Sequence, residues 1–201
     1  MSGHLGLLHG IKSNFIVRSP SGAAFLDATL KAKNSLGLGG EAFYQTDTAF
    51  RLGVMVDLSQ ITIENITPMY LLTFVAMPRV KIELTDKVSL LPGVGLGAMM
   101  SSTSSYYKDS SGSIYPDNKE GTSILFAPSL AVDYRINNKY FVGVQSTYYT
   151  TSFDTYDATL YASGSKAILK VNQSLHFFVT SIQFGFYFSE PTAAIPSSST
   201  P

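Results

Sequence analysis

Residues 72–100 read LTFVAMPRVKIELTDKVSLLPGVGLGAMM, and they alternate between two kinds of side chain on either side of a polar break at Thr85-Asp86-Lys87. Before the break, one face is apolar and consists of Leu72, Phe74, Ala76, Pro78, Val80, Ile82 and Leu84. After it, the apolar face continues with Leu90, Pro92, Val94, Leu96, Ala98 and Met100. A period of two that persists on both sides of a short turn predicts a long β-hairpin.

The same alternation recurs along the chain, in residues 35–44, 50–58, 124–135, 140–148 and 177–188. A less regular first strand covers Leu5–Val17, and its apolar face would comprise Leu5, Leu7, Ile11, Phe15 and Val17, with His9 among them. The pattern predicts eight strands, three tight turns near 46–48, 85–87 and 136–139, and four longer connections near 19–30, 59–68, 101–122 and 151–174. Short and long connections alternate, which is typical of an antiparallel up-and-down barrel in an outer membrane.

Composition supports a membrane barrel over a soluble one. Charged residues make up 14% of the chain, against about 25% in an ordinary soluble domain. The 14 basic residues balance 14 acidic ones, which argues against nucleic-acid binding, and the absence of cysteine excludes disulfides and thiolate metal sites. A soluble barrel would turn its apolar face inward, whereas here glycines and charges share one face of each strand.

Two details of the strand ends follow from this interpretation. The lipid-facing aromatic girdle would be formed by Tyr44, Phe50, Tyr134, Tyr140, Phe186 and Phe188. Turns of three residues keep both flanks in phase, and they would place Glu41 opposite Gly53, Arg79 opposite Gly93 and Asp133 opposite Gly143.

Three runs carry a resemblance to a known family: SLGLGGEAFY at 35–44, PGVGLG at 92–97 and AVDYRINN at 131–138. They resemble the small outer-membrane barrels of the group that contains the OmpA transmembrane domain, OmpX and OmpW. The resemblance implies an all-β, eight-stranded antiparallel up-and-down transmembrane β-barrel over residues 1–188, in the bacterial outer membrane with both termini in the periplasm. Residues 189–201 would be a Pro/Ser/Thr-rich disordered periplasmic tail.

The resemblance also implies partners. Outer-membrane lipid and lipopolysaccharide would surround the barrel, and the barrel-assembly machinery would recognise the terminal strand through Gly185, Tyr187 and Phe188. An envelope protein or a host surface is a further expected partner, and nucleic acid is not.

The inward face predicts two layers in the lumen. The expected ionic network consists of Glu41, Arg51, Arg79, Lys81, Glu83, Asp133 and Arg135. Because unpaired charges away from water are costly, these residues would form a salt-bridged plug; a proton or ion pathway is the alternative. The apolar layer consists of Met55, Leu71, Val75, Met99, Leu125 and Phe177. These side chains would either simply pack the lumen or line a small apolar pocket like the OmpW channel.

Three further features of the sequence bear on function. Pro78, Pro92 and Pro128 lie on consecutive strands and would loosen strand pairing, either as a lateral exit or as a tolerated bulge. Phe178 occupies the position where the His-x-Ser arrangement of barrel deacylases, starting from His176, would need serine. We therefore expect no enzyme activity, no cofactor and no metal site.

The predicted function is surface structure, adhesion or partner contact through the extracellular loops. Two alternatives remain open at the level of sequence. One is OmpW-like passage of small hydrophobic molecules through the apolar part of the lumen, and the other is a membrane subunit of a larger envelope assembly, in contact through residues 189–201.

Overall fold

A computed structural model of the protein describes residues 1–18, 24–45, 49–63, 68–103, 106–108, 114–116, 119–151, 154–162 and 165–188. Within them lie thirteen strands: β1 Ser2–Arg18, β2 Ala24–Lys33, β3 Ser35–Gln45, β4 Phe50–Ile63, β5 Met69–Val80, β6 Ile82–Glu83, β7 Val88–Thr103, β8 Tyr106–Lys108, β9 Ile114–Pro116, β10 Lys119–Arg135, β11 Tyr140–Thr151, β12 Asp154–Ala162 and β13 Ser165–Phe186. No helix in this described part is long and apolar enough to cross a membrane.

Eleven of these strands form one antiparallel sheet, and β8 and β9 form a separate hairpin. Within the sheet, β2 and β3 both pair with β1, β5 and β6 both pair with β7, and β11 and β12 both pair with β13. Each of these three pairs is one interrupted barrel strand, so the eleven elements make eight barrel strands. The sheet closes because β13 pairs with β1, which confirms the predicted all-β, eight-stranded antiparallel barrel.

Two of the predicted turns have the predicted length. Leu84 donates its amide to the carbonyl of Val88 at 2.9 Å, and Ile136 donates to Tyr140 at 3.0 Å, so each turn leaves three residues between the paired ends. In the second turn the Asn137 side chain accepts hydrogen bonds from the amides of residues 139 and 140, at 2.8 and 2.9 Å. An asparagine at the start of a turn commonly satisfies backbone amides in this way.

The third predicted turn, at 46–48, lies outside the described residues, but the strands beside it show a register that differs from the prediction. Glu41 lies opposite Met55 instead of Gly53. A shift of two residues leaves every side chain on its predicted face, so the alternation could not distinguish the two registers. The other two predicted pairs, Arg79 with Gly93 and Asp133 with Gly143, are confirmed.

Strand β1 contains a β-bulge at Gly10. Its register against β13 runs as far as His9 opposite Phe178 and resumes one residue out of step, with Lys12 opposite His176. Gly10 has a φ of 62°, in the left-handed region that glycine adopts without steric cost.

The bulge reverses the alternation of the rest of β1. Leu8 and Ile11 are both buried, although they are three residues apart. The prediction that Ile11 faces outward is therefore wrong, because the inserted residue moves each later side chain to the opposite face. The side chains of Phe15 and Val17, predicted on the same outer face, lie outside the described part of the structure.

Strands continue into segments predicted as connections at one end of the barrel. Strand β2 starts at Ala24, and β12 and the first half of β13 cover most of 151–174. At this end of the barrel, four strands lie side by side in the order β2, β1, β13 and β12. We call this part of the sheet, residues 12–18, 24–33, 154–162 and 165–176, the outer extension. Residues 24–33 do alternate in sequence, with Ala24, Leu26, Ala28 and Leu30 at every second position, so the prediction of a connection there was wrong.

Two of the three prolines coincide with gaps in strand pairing, whereas the β7–β10 register runs through Pro92 without a gap. The β5–β7 register skips residues 77–78, and the β10–β11 register skips residues 127–128. Pro78 and Pro128 have no amide hydrogen to donate to the neighbouring strand. The inward neighbours Met77 and Ala127 are nevertheless fully buried, so these interruptions leave no opening into the lumen.

An apolar belt covers the outside of the barrel. Its exposed side chains include Leu38, Val54, Phe74, Leu96, Ile124, Leu130, Val144, Ile182 and Phe184. Beside the turns lie the predicted girdle residues, which are also exposed: Tyr44, Phe50, Tyr134, Tyr140, Phe186 and Phe188.

Replacing Gly10 tests the bulge. We expect Gly10→Ala to lower the free energy of unfolding by about 1–2 kcal/mol, because a side chain in the left-handed region is strained. The matched control is Gly3→Ala on the same strand, where an added Cβ would lie 3.9 Å from its nearest neighbour. Urea unfolding in detergent micelles, followed by tyrosine fluorescence, gives both values, and equal losses in the two variants would contradict the assignment.

Candidate functional site

The lumen contains two buried ion pairs formed by predicted residues, and the first joins Arg51 on β4 to Asp133 on β10. Arg51 Nη1 lies 2.9 Å from Asp133 Oδ2, and both residues are less than 5% exposed. Gln183 donates to the other carboxylate oxygen at 2.5 Å. The pairing is possible because Gly143 faces Asp133 across the strands and leaves room for its carboxylate.

A second buried pair joins Arg79 on β5 to Glu41 on β3. Arg79 Nη2 also donates to the side-chain oxygen of Gln145 on β11 at 3.0 Å. Gly93 lies directly under the arginine stem, and Gly53 lies under the Glu41 carboxylate. These glycines therefore provide the space through which long charged side chains cross the lumen.

Aromatic rings close the lumen beside Arg51. The rings of Phe43, Phe141 and Tyr187 contact one another, with centroids 5.3–6.0 Å apart. The guanidinium carbon of Arg51 lies 4.2 Å from the Phe43 ring centre and 5.6 Å from that of Phe141. Cation–π contacts of this kind contribute about 0.5–2 kcal/mol each.

The remaining predicted network residues lie at the end of the barrel. Lys81 is buried and donates to Glu83 at 2.6 Å, while Arg135 approaches the same carboxylate at 3.9 Å. The Glu83 side chain is 62% exposed, so it lies at the rim rather than inside the lumen. The approach of Arg135 to the exposed Glu83 carboxylate contributes little to stability, because surface charge pairs are screened by water.

A polar cluster that the sequence analysis did not identify lies among the apolar side chains of the lumen, and Met55 and Val75 separate it from the ionic layer. Asp57 on β4 is hydrogen-bonded to the ring of His4 on β1 and accepts a hydrogen bond from the Tyr149 hydroxyl at 2.7 Å. Thr73 donates to the same carboxylate at 3.4 Å. The partners of Asp57 are distant in sequence, so the cluster could not be predicted from local pattern. The one local sign of it was an aspartate on the inward face at mid-strand, opposite Gly39.

All six residues of the predicted apolar pocket lie in one packed cluster. Met55, Leu71, Val75, Met99, Leu125 and Phe177 are each at most 2% exposed. The cavity beneath them, bordered by His4, Asp57 and Tyr149, has a volume of about 10 Å³, which is room for one water molecule. In the described lumen, the predicted pocket is thus occupied by its own side chains.

Around His176, the described residues do not complete the arrangement of a barrel deacylase. His176 contacts two hydroxyls, Thr150 Oγ1 at 2.8 Å and Ser174 Oγ at 3.3 Å, and no carboxylate of the described part orients its ring. The described residues also contain no group of three or more side chains suited to hold a metal ion.

The predicted assembly residues lie at the end of the last strand. Gly185 faces inward against the Phe141 ring, Tyr187 belongs to the aromatic cluster, and Phe188 is exposed. Their recognition by the assembly machinery stays a prediction.

Comparisons with known proteins found similar solved structures but no related sequence. No family model matches the chain, and no curated protein matches its sequence. Among solved structures it is similar to Neisserial surface protein A, with 14% identity, a TM-score of 0.47, and coverage of 92% of this chain and 99% of that one. It is also similar to the outer membrane protein OprG from Pseudomonas aeruginosa, with 12% identity, a TM-score of 0.48, and coverage of 92% and 94%.

Breaking a buried ion pair should be costly. We expect Arg51→Ala to lower the free energy of unfolding by about 3–5 kcal/mol, because Asp133 would remain buried without its counter-charge. The control is Arg135→Ala, which removes only the 3.9 Å approach to the exposed Glu83 and is expected to cost less than about 1 kcal/mol. Urea titration in micelles compares the two variants, and similar losses would argue against a special role for the buried pair.

The polar cluster depends on the absence of a side chain at residue 39. A Cβ there would lie 2.5 Å from His4 Nε2 and 2.6 Å from the Val56 carbonyl, and still closer to Asp57. Gly39→Ala should therefore destabilise the barrel by about 1–3 kcal/mol through overpacking. It should also shift the His4 ring resonances in NMR spectra, whereas unchanged resonances would show that the cluster does not lie against Gly39.

Proposed function

We propose that this protein is a closed outer-membrane barrel that does not conduct solutes and acts at the cell surface through its outer extension and loops. The filled lumen is the observation that carries the proposal. It leaves the outside of the barrel and the segments beyond the apolar belt as the surfaces on which other molecules can bind.

The membrane location rests on the exposed belt. A continuous apolar surface of this extent is not stable in water, and a soluble barrel of the same fold would bury it. From Phe186 in the girdle to His176 is ten residues along β13. At about 3.3 Å per residue and a tilt of about 40°, this spans about 25 Å, the height of the apolar band in outer-membrane barrels.

The orientation follows from the connections. Both described turns and both ends of the barrel, at Met1 and Phe188, lie at the girdle end, where the amide of Phe186 donates to the carbonyl of Met1. Short turns face the periplasm in barrels of this type, so the outer extension would face the outside of the cell. The tail at 189–201 lies outside the described residues, and its role as a contact in an envelope assembly stays a prediction.

Packing argues against the passage of small hydrophobic molecules. Side chains that line a water-filled or ligand-filled channel are exposed, whereas Leu71, Leu125 and Phe177 are at most 1% exposed. Below them the two buried ion pairs and the aromatic cluster close the lumen again. Adhesion or contact with a partner at the surface needs no opening, and the outer extension supplies an ordered sheet for it.

Conductance tests the closed lumen. We expect folded protein in a planar lipid bilayer to give no current steps above background at 100 mV in 1 M KCl, since no ion-sized path crosses the described lumen. Protease protection in liposomes made from the same preparation shows that the protein is inserted. Discrete current steps from inserted protein would overturn the proposal.

Surface binding is tested by replacing residues 106–116, which include the β8–β9 hairpin, with a short Gly-Ser linker. The barrel should fold normally, and attachment of bacteria that display the protein to cultured host cells should be lost. The control inserts the same linker in the turn at 136–139, at the opposite end of the barrel. Equal attachment by both variants would count against a role for this loop in adhesion.

A further inference from the structure

We propose that a row of basic side chains on the outside of the barrel, formed by Lys12, Lys31 and His176, binds the phosphate group of a membrane lipid in the outer leaflet. The proposal rests on the proposed membrane location and adds a specific lipid site to it. We call these three residues the basic row.

The basic row is set by strand register. Lys12 on β1 lies directly opposite Lys31 on β2 and opposite His176 on β13. Directly opposed residues in antiparallel strands have Cα atoms about 4.5–5.5 Å apart. The three side chains therefore form one line across three adjacent strands.

The two lysines lack a counter-charge in the described structure. Both are exposed, and neither forms an ion pair with a described residue. Like charges directly opposite each other in a sheet destabilise it. An anion held between the ammonium groups would convert this repulsion into two charge-assisted hydrogen bonds.

Polar neighbours complete the surroundings of the row. On the far side from the belt, the Thr29 hydroxyl donates to Asn14 Oδ1 at 2.9 Å, so this next row is neutral. Thr150 and Ser174 contact the two ring nitrogens of His176 and fix the orientation of the ring. A third lysine, Lys33, is exposed two residues beyond Lys31.

The position of the row fits a lipid headgroup. It lies about 25 Å from the girdle, by the count along β13 given above. Immediately on its membrane side, Phe178 stacks on His9 with centroids 5.6 Å apart and packs against Tyr148 at 4.8 Å. Aromatic side chains of this kind mark the boundary between hydrocarbon and headgroups.

The bulge at Gly10 is what brings Lys12 to the outside. Without the extra residue, the alternation from Leu5 and Leu7 would turn Ile11 outward and Lys12 into the lumen. The bulge thus ends the apolar outer face of β1 and starts a basic one at the level of the headgroups.

Binding is tested in dodecyl maltoside micelles with three probes: dihexanoyl phosphatidic acid, dihexanoyl phosphatidylcholine and inorganic phosphate. Amide NMR shifts at residues 12, 31 and 176 report occupancy. We expect phosphatidic acid to bind most tightly, because it combines an exposed phosphate with acyl chains that contact the belt. Inorganic phosphate binding as tightly would overturn the lipid assignment in favour of a free anion.

The variant Lys12→Gln/Lys31→Gln should bind phosphatidic acid about tenfold more weakly, which corresponds to about 1.4 kcal/mol. The control Lys87→Gln/Lys139→Gln removes two exposed lysines from the turns at the other end and should bind as the unmodified protein does. Unchanged affinity in the first variant, or equal losses in both, would overturn the proposal.

Stability without lipid separates a binding role from a structural one. In neutral detergent without an anion, Lys12→Gln/Lys31→Gln should be at least as stable as the unmodified protein, because the repulsion is removed. Lower stability there would show that the lysines hold the fold, and would overturn the proposal.

Insertion into phosphatidylcholine vesicles without preference for phosphatidic acid overturns this inference alone. Failure to insert into any vesicle overturns the membrane location and this inference with it.

Discussion

Eight strands closed into a barrel leave an interior only wide enough for side chains, so every charged group placed there must be paired inside it. Arg51 with Asp133 and Arg79 with Glu41 meet this requirement by reaching across the lumen between strands that do not neighbour each other. Glycines on the facing strands provide the space for that reach. The Arg51–Asp133 pair therefore ties together distant walls of the barrel, and the Arg79–Glu41 pair bridges the two strands on either side of β4, which backbone hydrogen bonds between adjacent strands cannot do.

The same requirement explains why the lumen is layered. The ionic layer lies toward the girdle, and the apolar side chains pack beyond it with the cluster around Asp57 among them. Most of the buried polar groups find partners within the lumen, whereas Ser2 Oγ, His4 Nδ1 and Arg79 Nε are buried without one. A barrel filled in this way is a support for surfaces outside the lumen, and the outer extension and the basic row both belong to those surfaces.

Particular residues show how far the sequence could be interpreted. The alternation through residues 72–100 predicted the hairpin, its three-residue turn and the inward position of Arg79, and all three are found. Ile11 was placed on the wrong face because one glycine with a positive φ adds a residue to the strand. The register at Glu41 was wrong by two residues, since a shift of two preserves the pattern of faces.

The candidate site was predicted in composition but not in contacts. The sequence identified the charged residues of the lumen. It did not show that Gln145 and Gln183 hydrogen-bond to them. It also did not show that His4 and Tyr149 both bind Asp57. By itself, then, the sequence determined the fold class and, outside the bulged part of β1, which side chains face inward, because a period of two is a local property of each strand. The pairing of those side chains depends on strand order, register and barrel closure, and so does the filling of the lumen. Only the tertiary structure decided both, because it brings together residues that are far apart in the chain.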